Sequence, residues 1–198
     1  MACDFIEFPK IARLRRSTVV TEKIDGTNAQ VAIFDLEGFP VTDPACLWQR
    51  DGLAIFAGSR SRWVTPGKDD NFGWAAWVLA HVEELAALGP GRHYGEWWGS
   101  GIQRGYGLTG GEKRFSLFNV GRWKETPPPA CCSLVPTLYE GDFDMLAIEA
   151  CLSLLRVEGS RAAPGFMKPE GVVVFHAASR TLFKRTIEKD DEPKGLAK

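Results

Sequence analysis

Lys23 is a candidate nucleophile because it stands two residues before an Asp-Gly pair, in the segment EKIDGTN at 22–28. Strand-like runs flank this segment, so Lys23 and Asp25 are predicted to share one face of a strand. A lysine amine can form a covalent intermediate when its surroundings favour the free base. A β-hairpin with an Asp-Gly turn and a surface lysine is the alternative. The segment alone leaves both interpretations open.

Charged residues elsewhere in the chain suit a phosphorylated substrate. Arg60 stands among small residues, where a guanidinium can contact phosphate or ribose. Lys184 ends a strand-like run, and a lysine beside a phosphate offsets its negative charge. Glu96 and Glu170 stand beside glycines and apolar strand residues, where an unpaired buried acid is costly. The alternatives are a solvated arginine, an edge-strand lysine and acids paired with core arginines.

Phe118 lies in a run of alternating aromatic residues at 115–120 and could stack on a nucleobase, with core packing as the alternative. The five cysteines form no Cys-x-x-Cys pair and the three histidines are scattered, so we expect no structural metal site. Reduced thiols and the absence of a signal-like or membrane-spanning apolar run favour a cytoplasmic location.

The elements that position these residues are mostly strands. Apolar spacing predicts two helices, over 74–88 and over 143–155 with Asp142 as N-cap. Strands that do not alternate with helices favour an α+β fold with antiparallel sheets. The predicted strands cover 18–21, 29–34, 54–57, 93–97, 115–120, 171–175 and 181–185. Three prolines at 127–129 predict an extended excursion within one domain.

Length and charge narrow the class of protein further. The 198 residues favour one domain, and 24 basic against 25 acidic residues give a net charge of −1. Binding to a nucleic acid must therefore depend on local basic clusters. If two clusters flank the pocket, they are predicted to form a positive rim that binds RNA in a salt-sensitive way. They are Lys10, Arg13, Arg15 and Arg16, and Arg180, Lys184 and Arg185. The alternative is that these residues form an ordinary solvated surface.

In chain order, the motifs that contain Lys23, Arg60, Glu96, Phe118, Glu170 and Lys184 resemble those of the covalent nucleotidyltransferase superfamily of polynucleotide ligases and mRNA capping enzymes. The ending GTN of the segment KIDGTN, the later PEGVVVF and the early FIEFPKIARL are most similar to the RNA ligase branch. The resemblance implies a nucleotidyltransferase (ATP-grasp-like) core of antiparallel sheets flanked by a few helices. Residues 1–190 would form this adenylyltransferase domain, and 191–198 a short polar tail.

The resemblance also implies roles for single residues. Lys23 would attack the α-phosphate of ATP, with Asp25 and Lys184 as further catalytic residues. Glu96 and Glu170 would hold Mg²⁺ or Mn²⁺, and Phe118 would stack on adenine. The implied nucleotide-binding set is Glu22, Lys23, Gly26, Asn28, Arg60, Glu96, Phe118, Glu170 and Lys184.

The implied activity is formation of lysyl-AMP from ATP, rather than from GTP, then AMP transfer to a 5′-phosphate RNA end and sealing by a 3′-hydroxyl. Two alternatives stay open: an acceptor that is nicked DNA or a protein, and a module that binds nucleotides or RNA ends without turnover. Two features depart from the family pattern. Thr186 occupies the slot of a second lysine, with Arg185 predicted on the opposite strand face and Lys189 as a possible substitute. We also expect no OB-fold or helical C-terminal domain, so a partner protein could supply one.

Overall fold

The computed structural model describes residues 4–38, 40–68, 70–188 and 190. Within them, two sheets with few helices confirm a mixed α and β architecture. The helices are α1 (Trp74–Ala80), α2 (Val82–Ala86) and α3 (Met145–Glu158). The strands are β1 (Ser17–Lys23), β2 (Thr27–Asp35), β3 (Cys46–Arg50), β4 (Leu53–Gly58), β5 (Trp63–Val64), β6 (Gly91–Gly99), β7 (Lys113–Leu117), β8 (Cys132–Leu134), β9 (Thr137–Asp142), β10 (Gly171–His176) and β11 (Thr181–Thr186). The predicted tail at 191–198 lies outside the described residues.

The smaller sheet has the order β11-β10-β1-β9, and all its pairs are antiparallel. Its even-numbered core residues Val20, Val172 and Val174 pack against the apolar stripe of α3. Because side chains alternate along a strand, the odd-numbered positions, including Lys23, lie on the other face. The sheet therefore separates a packed side from a side that carries the candidate nucleophile.

The larger sheet has the order β3-β4-β2-β6-β7-β8, with β5 paired to β4. One face buries an aromatic core that includes Trp74, Trp97 and Phe115 against α1 and α2. The expectation of purely antiparallel sheets is wrong at one pair, because β7 and β8 are parallel. The connection between them contains the prolines at 127–129 and is long enough to return the chain for parallel pairing.

Both predicted helices form, with different bounds. The helix predicted over 74–88 is two helices that meet at His81. There the imidazole Nδ1 lies 2.8 Å from the Trp77 carbonyl oxygen, and the His81 N–H donates to Val78 instead, which interrupts the regular helical hydrogen bonding. The predicted N-cap Asp142 is wrong: it ends β9, and Asp144 accepts the capping bond from Leu146 N at 2.8 Å.

No helix among the described residues is both long and apolar enough to cross a membrane. The expected cytoplasmic location stays a prediction.

Candidate active site

Lys23 lies at the end of β1 and contacts Glu170, a glutamate far from it in the sequence. Its Nζ is 2.5 Å from Oε2 of Glu170, and both side chains are largely buried. The contact forms because β1 pairs with β10 in a register that sets Lys23 opposite Gly171, next to Glu170. The structure thus brings together two predicted site residues that are 147 positions apart.

The Asp-Gly pair after Lys23 is not a hairpin turn, because β1 and β2 belong to different sheets. Gly26 lies where the chain crosses between them. The Gly26 N–H donates to Oε1 of Glu96 at 3.0 Å. A Cβ added at Gly26 would lie 2.5 Å from the Trp97 carbonyl oxygen. The glycine therefore permits a close approach to β6 that no side chain would allow.

Glu96 is the electrostatic centre of the site. Burial raises the pKa of its carboxyl to about 7, and the negative charges of Glu170 and Asp25 raise it further. The positive charge of Lys23 and the hydrogen bond from the Gly26 N–H lower the pKa and so oppose this shift. Asn28 is paired directly with Glu96 across β2 and β6 and shares its face of the sheet. Five predicted residues thus converge around this one carboxyl group.

The lysyl-AMP formation that the sequence resemblance implies is expected, at subsaturating ATP, to rise with pH between 6 and 8 because of Glu96. A carboxyl with a pKa of about 7 is about 10% ionised at pH 6 and about 90% ionised at pH 8, and only the charged form can hold a cation. Initial rates across this range should show the rise in the parent, whereas Glu96→Gln should be slow and lack this step. An identical rise in Glu96→Gln would assign the titration to another group.

Two residues of the site, Arg104 and Tyr106, are absent from the sequence-based set. Arg104 Nε donates to Oδ2 of Asp25 at 3.0 Å, and its NH1 donates to the Lys168 carbonyl at 2.9 Å. The Tyr106 hydroxyl accepts from Asp25 N at 2.9 Å. Both lie in a glycine-rich loop, and φ is 51° at Tyr106, a conformation unusual for a non-glycine residue. These contacts tie the segment after β1 to the segment before β10.

Glu22 is not brought to the Lys23 face. Its carboxylate is buried on the α3 side, where it accepts from Ser160 Oγ at 2.5 Å, Arg161 N at 2.7 Å and Ala162 N at 2.9 Å. Burial raises the pKa of Glu22, and these three donors oppose the shift. The contacts give Glu22 a structural role, holding the loop after α3, and they give its predicted nucleotide contact no support.

Lys184 and Arg185 lie on opposite faces of β11, as strand alternation predicts. Lys184 is paired with Val173, on the Lys23 face of the sheet, and forms no ion pair with any described residue. Arg185 lies on the α3 face, where its guanidinium pairs with Glu149 at 2.7 Å and with Asp190 at 2.7 Å. Lys189 lies outside the described residues.

Phe118 and Arg60 both lie just beyond the ends of strands of the larger sheet. Phe118 follows β7, where its N–H donates to the Tyr94 carbonyl, and its ring is 39% exposed. Arg60 is exposed in the turn between β4 and β5 and has no hydrogen-bond or ion-pair partner among the described residues. Neither side chain contacts Lys23, so their predicted nucleotide contacts stay predictions.

The predicted positive rim is not formed around Lys23. Arg15 and Arg16 precede β1, whose seven residues place them roughly 20 Å from Lys23. Arg180 lies in the turn between β10 and β11, at this same distant end of the sheet. Arg15 also lies 3.9 Å from Asp142, and Arg185 is held on the α3 face. Of the two cluster residues that lie within a strand, Lys184 shares the face of the candidate nucleophile and Arg185 does not, while Lys10 and Arg13 are exposed in the segment before β1.

Glu96 and Glu170 are the two carboxylates predicted to hold a divalent cation, and Asp25 is a third carboxylate whose charge acts on Glu96. Among residues 4–38, 40–68, 70–188 and 190, no three His, Cys, Asp or Glu side chains form a ready-made metal site. Mg²⁺ is commonly held by one or two carboxylates together with substrate phosphates and water. Two carboxylates that mutually influence their charge therefore fit a cation that enters with a nucleotide.

Comparison of the sequence with models of protein families identifies the family of this chain. The model of the RNA ligase family matches residues 16–189. The chain belongs to the RNA ligase family. A search of curated proteins finds no match.

Solved structures of a Naegleria gruberi RNA ligase have a similar fold. A glutamate-to-alanine variant with ATP and Mn has 19% identity and a TM-score of 0.58, covering 88% of this chain and 51% of that one. A lysine-to-methionine variant with AMP and Mn has 18% identity and a TM-score of 0.55, covering 91% and 53%. This member of the RNA ligase family thus spans about half the length of those chains. The predicted partner protein and the single domain at 1–190 stay predictions.

Proposed function

We propose that this protein is an ATP-dependent RNA ligase-type adenylyltransferase that forms a lysyl-AMP intermediate on Lys23. The observation that carries the proposal is the cluster of Lys23, Glu170 and Glu96, with the lysine amine 2.5 Å from one carboxylate and charge-coupled to the other. Covalent catalysis by a lysine needs the free amine, and a carboxylate in direct contact with the amine can take up its proton. Family membership and the ATP and AMP in the similar ligase structures support the choice of nucleotide.

In the first step, the Lys23 amine attacks the α-phosphorus of ATP. An N–P bond forms, the bond from the α-phosphorus to the bridging oxygen breaks, and pyrophosphate leaves. The lysine must lose a proton before it attacks, and the Glu170 carboxylate at 2.5 Å is placed to pass that proton on to water, which leaves Glu170 charged. Lys184, on the same face of the sheet, would offset the charge that develops on the α-phosphate.

Mg²⁺ or Mn²⁺ would be held by Glu96 and Glu170 and would neutralise phosphate charge during the reaction. The ionised form of Glu96 is needed for this, which links cation binding to its pKa of about 7. Arg104 and Tyr106 would keep Asp25 and the crossing segment in place while these carboxylates bind.

In the later steps, AMP would pass from Lys23 to a 5′-phosphate RNA end. The 5′-phosphate oxygen attacks the phosphorus of lysyl-AMP, and the N–P bond breaks as the lysine recovers its proton. A 3′-hydroxyl then attacks the 5′-phosphate and AMP leaves. An RNA acceptor is the substrate that fits membership in the RNA ligase family.

The proposal is tested by incubating the protein with ATP labelled at the α-phosphate and Mg²⁺, followed by a denaturing gel. We expect a covalently labelled band that loses its label when 5′-phosphate RNA is added, with labelled AMP appearing on the RNA. Transfer to nicked DNA or to a protein alone would replace the RNA acceptor. A protein that binds ATP without covalent label would be a binding module, which contradicts the proposal.

A further inference from the structure

Phe34, Trp63 and Arg92 form a partly exposed cluster on the large sheet, here called the Arg92 platform. The Arg92 guanidinium lies 5.3 Å from the ring centroid of Trp63 and 5.5 Å from that of Phe34. The buried ring of Phe56 lies beneath, 5.2 Å from Trp63 and 5.4 Å from Phe34. Phe34 is 38% exposed, Trp63 is half-buried and Arg92 is exposed, so part of the platform is accessible to solvent.

The platform continues the face that carries the candidate active site. Arg92, Tyr94 and Glu96 occupy alternate positions of β6 and therefore point to one side of the sheet. At about 3.3 Å per residue, Arg92 lies roughly 13 Å from Glu96 along the strand. Tyr94, which is 46% exposed, lies between them. A polymer held at Glu96 can thus reach the platform along one surface.

The charge of Arg92 is uncompensated within the described part of the chain. Its only hydrogen bond there is from NH1 to Oε1 of Gln30 at 2.7 Å, and no carboxylate of those residues lies within 4.0 Å. Gly58 leaves room for this arrangement, since a Cβ there would lie 3.0 Å from Gln30 Nε2 and 3.2 Å from the Trp63 ring. The guanidinium is held in place and keeps free donors for a phosphate.

We propose that the Arg92 platform binds one nucleotide of single-stranded RNA, with the base stacked on the guanidinium and aromatic rings and a neighbouring phosphate paired with Arg92. Arginine planes and aromatic rings are the groups on which unpaired RNA bases stack. A positive charge without an acidic partner attracts the polymer backbone rather than an apolar partner. This inference rests on the proposed function, because the surface leads to the proposed nucleotide site.

The test measures binding of a 5′-phosphorylated single-stranded oligoribonucleotide to the full chain by fluorescence anisotropy over a salt titration. We expect Arg92→Gln to weaken binding about 10-fold, the range of one lost stacking contact. The logarithmic salt slope should fall by about 0.7, as for one lost phosphate contact on a single strand. Arg92→Lys should keep the salt slope but lose affinity, because a lysine has no plane for stacking.

Arg156→Gln is the matched control, since this exposed arginine lies in the last turn of α3, on the other sheet. It should leave RNA affinity and salt slope unchanged. The inference is overturned if Arg92→Gln behaves like Arg156→Gln, if Arg92→Lys keeps full affinity, or if Arg92→Gln raises the ATP concentration needed for lysyl-AMP formation. Labelling by ATP in the parent is scored separately, so failure of the proposed function is distinguishable from failure of the platform.

Discussion

Replacing Lys23 by alanine is expected to abolish covalent labelling by ATP, a loss of at least about 1,000-fold, because the intermediate has no other nucleophile. The structure strengthens this expectation, since Lys23 contacts Glu170 at 2.5 Å and lies within the electrostatic reach of Glu96. The measurement is the labelled band on a denaturing gel after incubation with ATP labelled at the α-phosphate.

Lys124→Ala serves as the control, because Lys124 is also ion-paired to a glutamate, Glu140, but at an exposed position of the fold. It should label like the parent. The bond itself is checked by chemistry: a phosphoramidate is lost in acid, so an acid-stable label lost to hydroxylamine would indicate a different linkage. Full labelling of Lys23→Ala would remove Lys23 from the mechanism.

The sequence placed Lys23 and Glu170 in one site only through the family resemblance, and their direct contact follows from the register of β1 and β10 in the structure. Strand alternation also gives the opposed directions of Lys184 and Arg185. The same rule applied to β1 turns Glu22 away from Lys23, and the structure has it buried beside Ser160. Period-two patterning therefore carries information about which motif residues meet.

Arg104 and Tyr106 were not predictable in the same way. They reach the site from a loop, through single hydrogen bonds to Asp25, and no periodic pattern marks such contacts. The break between α1 and α2 at His81 also has a local cause, because the His81 imidazole contacts the Trp77 carbonyl oxygen that would otherwise accept a helical hydrogen bond. The distant position of Arg16 depends on the length and direction of β1, which motif order does not specify.

Replacing Lys184 by alanine is expected to slow lysyl-AMP formation about 100-fold, the cost of one charge-stabilising group aimed at a reacting phosphate. The expectation follows from the register of β11, which sets Lys184 opposite Val173 on the Lys23 face, without an ion-pair partner among the described residues. The measurement is the single-turnover rate of labelling at saturating ATP, which separates chemistry from nucleotide binding.

The neighbouring residue provides the control, because Arg185→Ala removes an adjacent positive charge from the opposite face of the same strand. Arg185 pairs with Glu149 and Asp190 on the α3 side, so its loss should lower the unfolding temperature and leave the labelling rate within about 3-fold of the parent. If Arg185→Ala slowed labelling as much as Lys184→Ala, the effect would come from disturbance of β11 itself. A Lys184→Ala variant that labels at the parent's rate would show that phosphate charge is offset by another group. Arg60, in the turn between β4 and β5, would then be the next residue to replace.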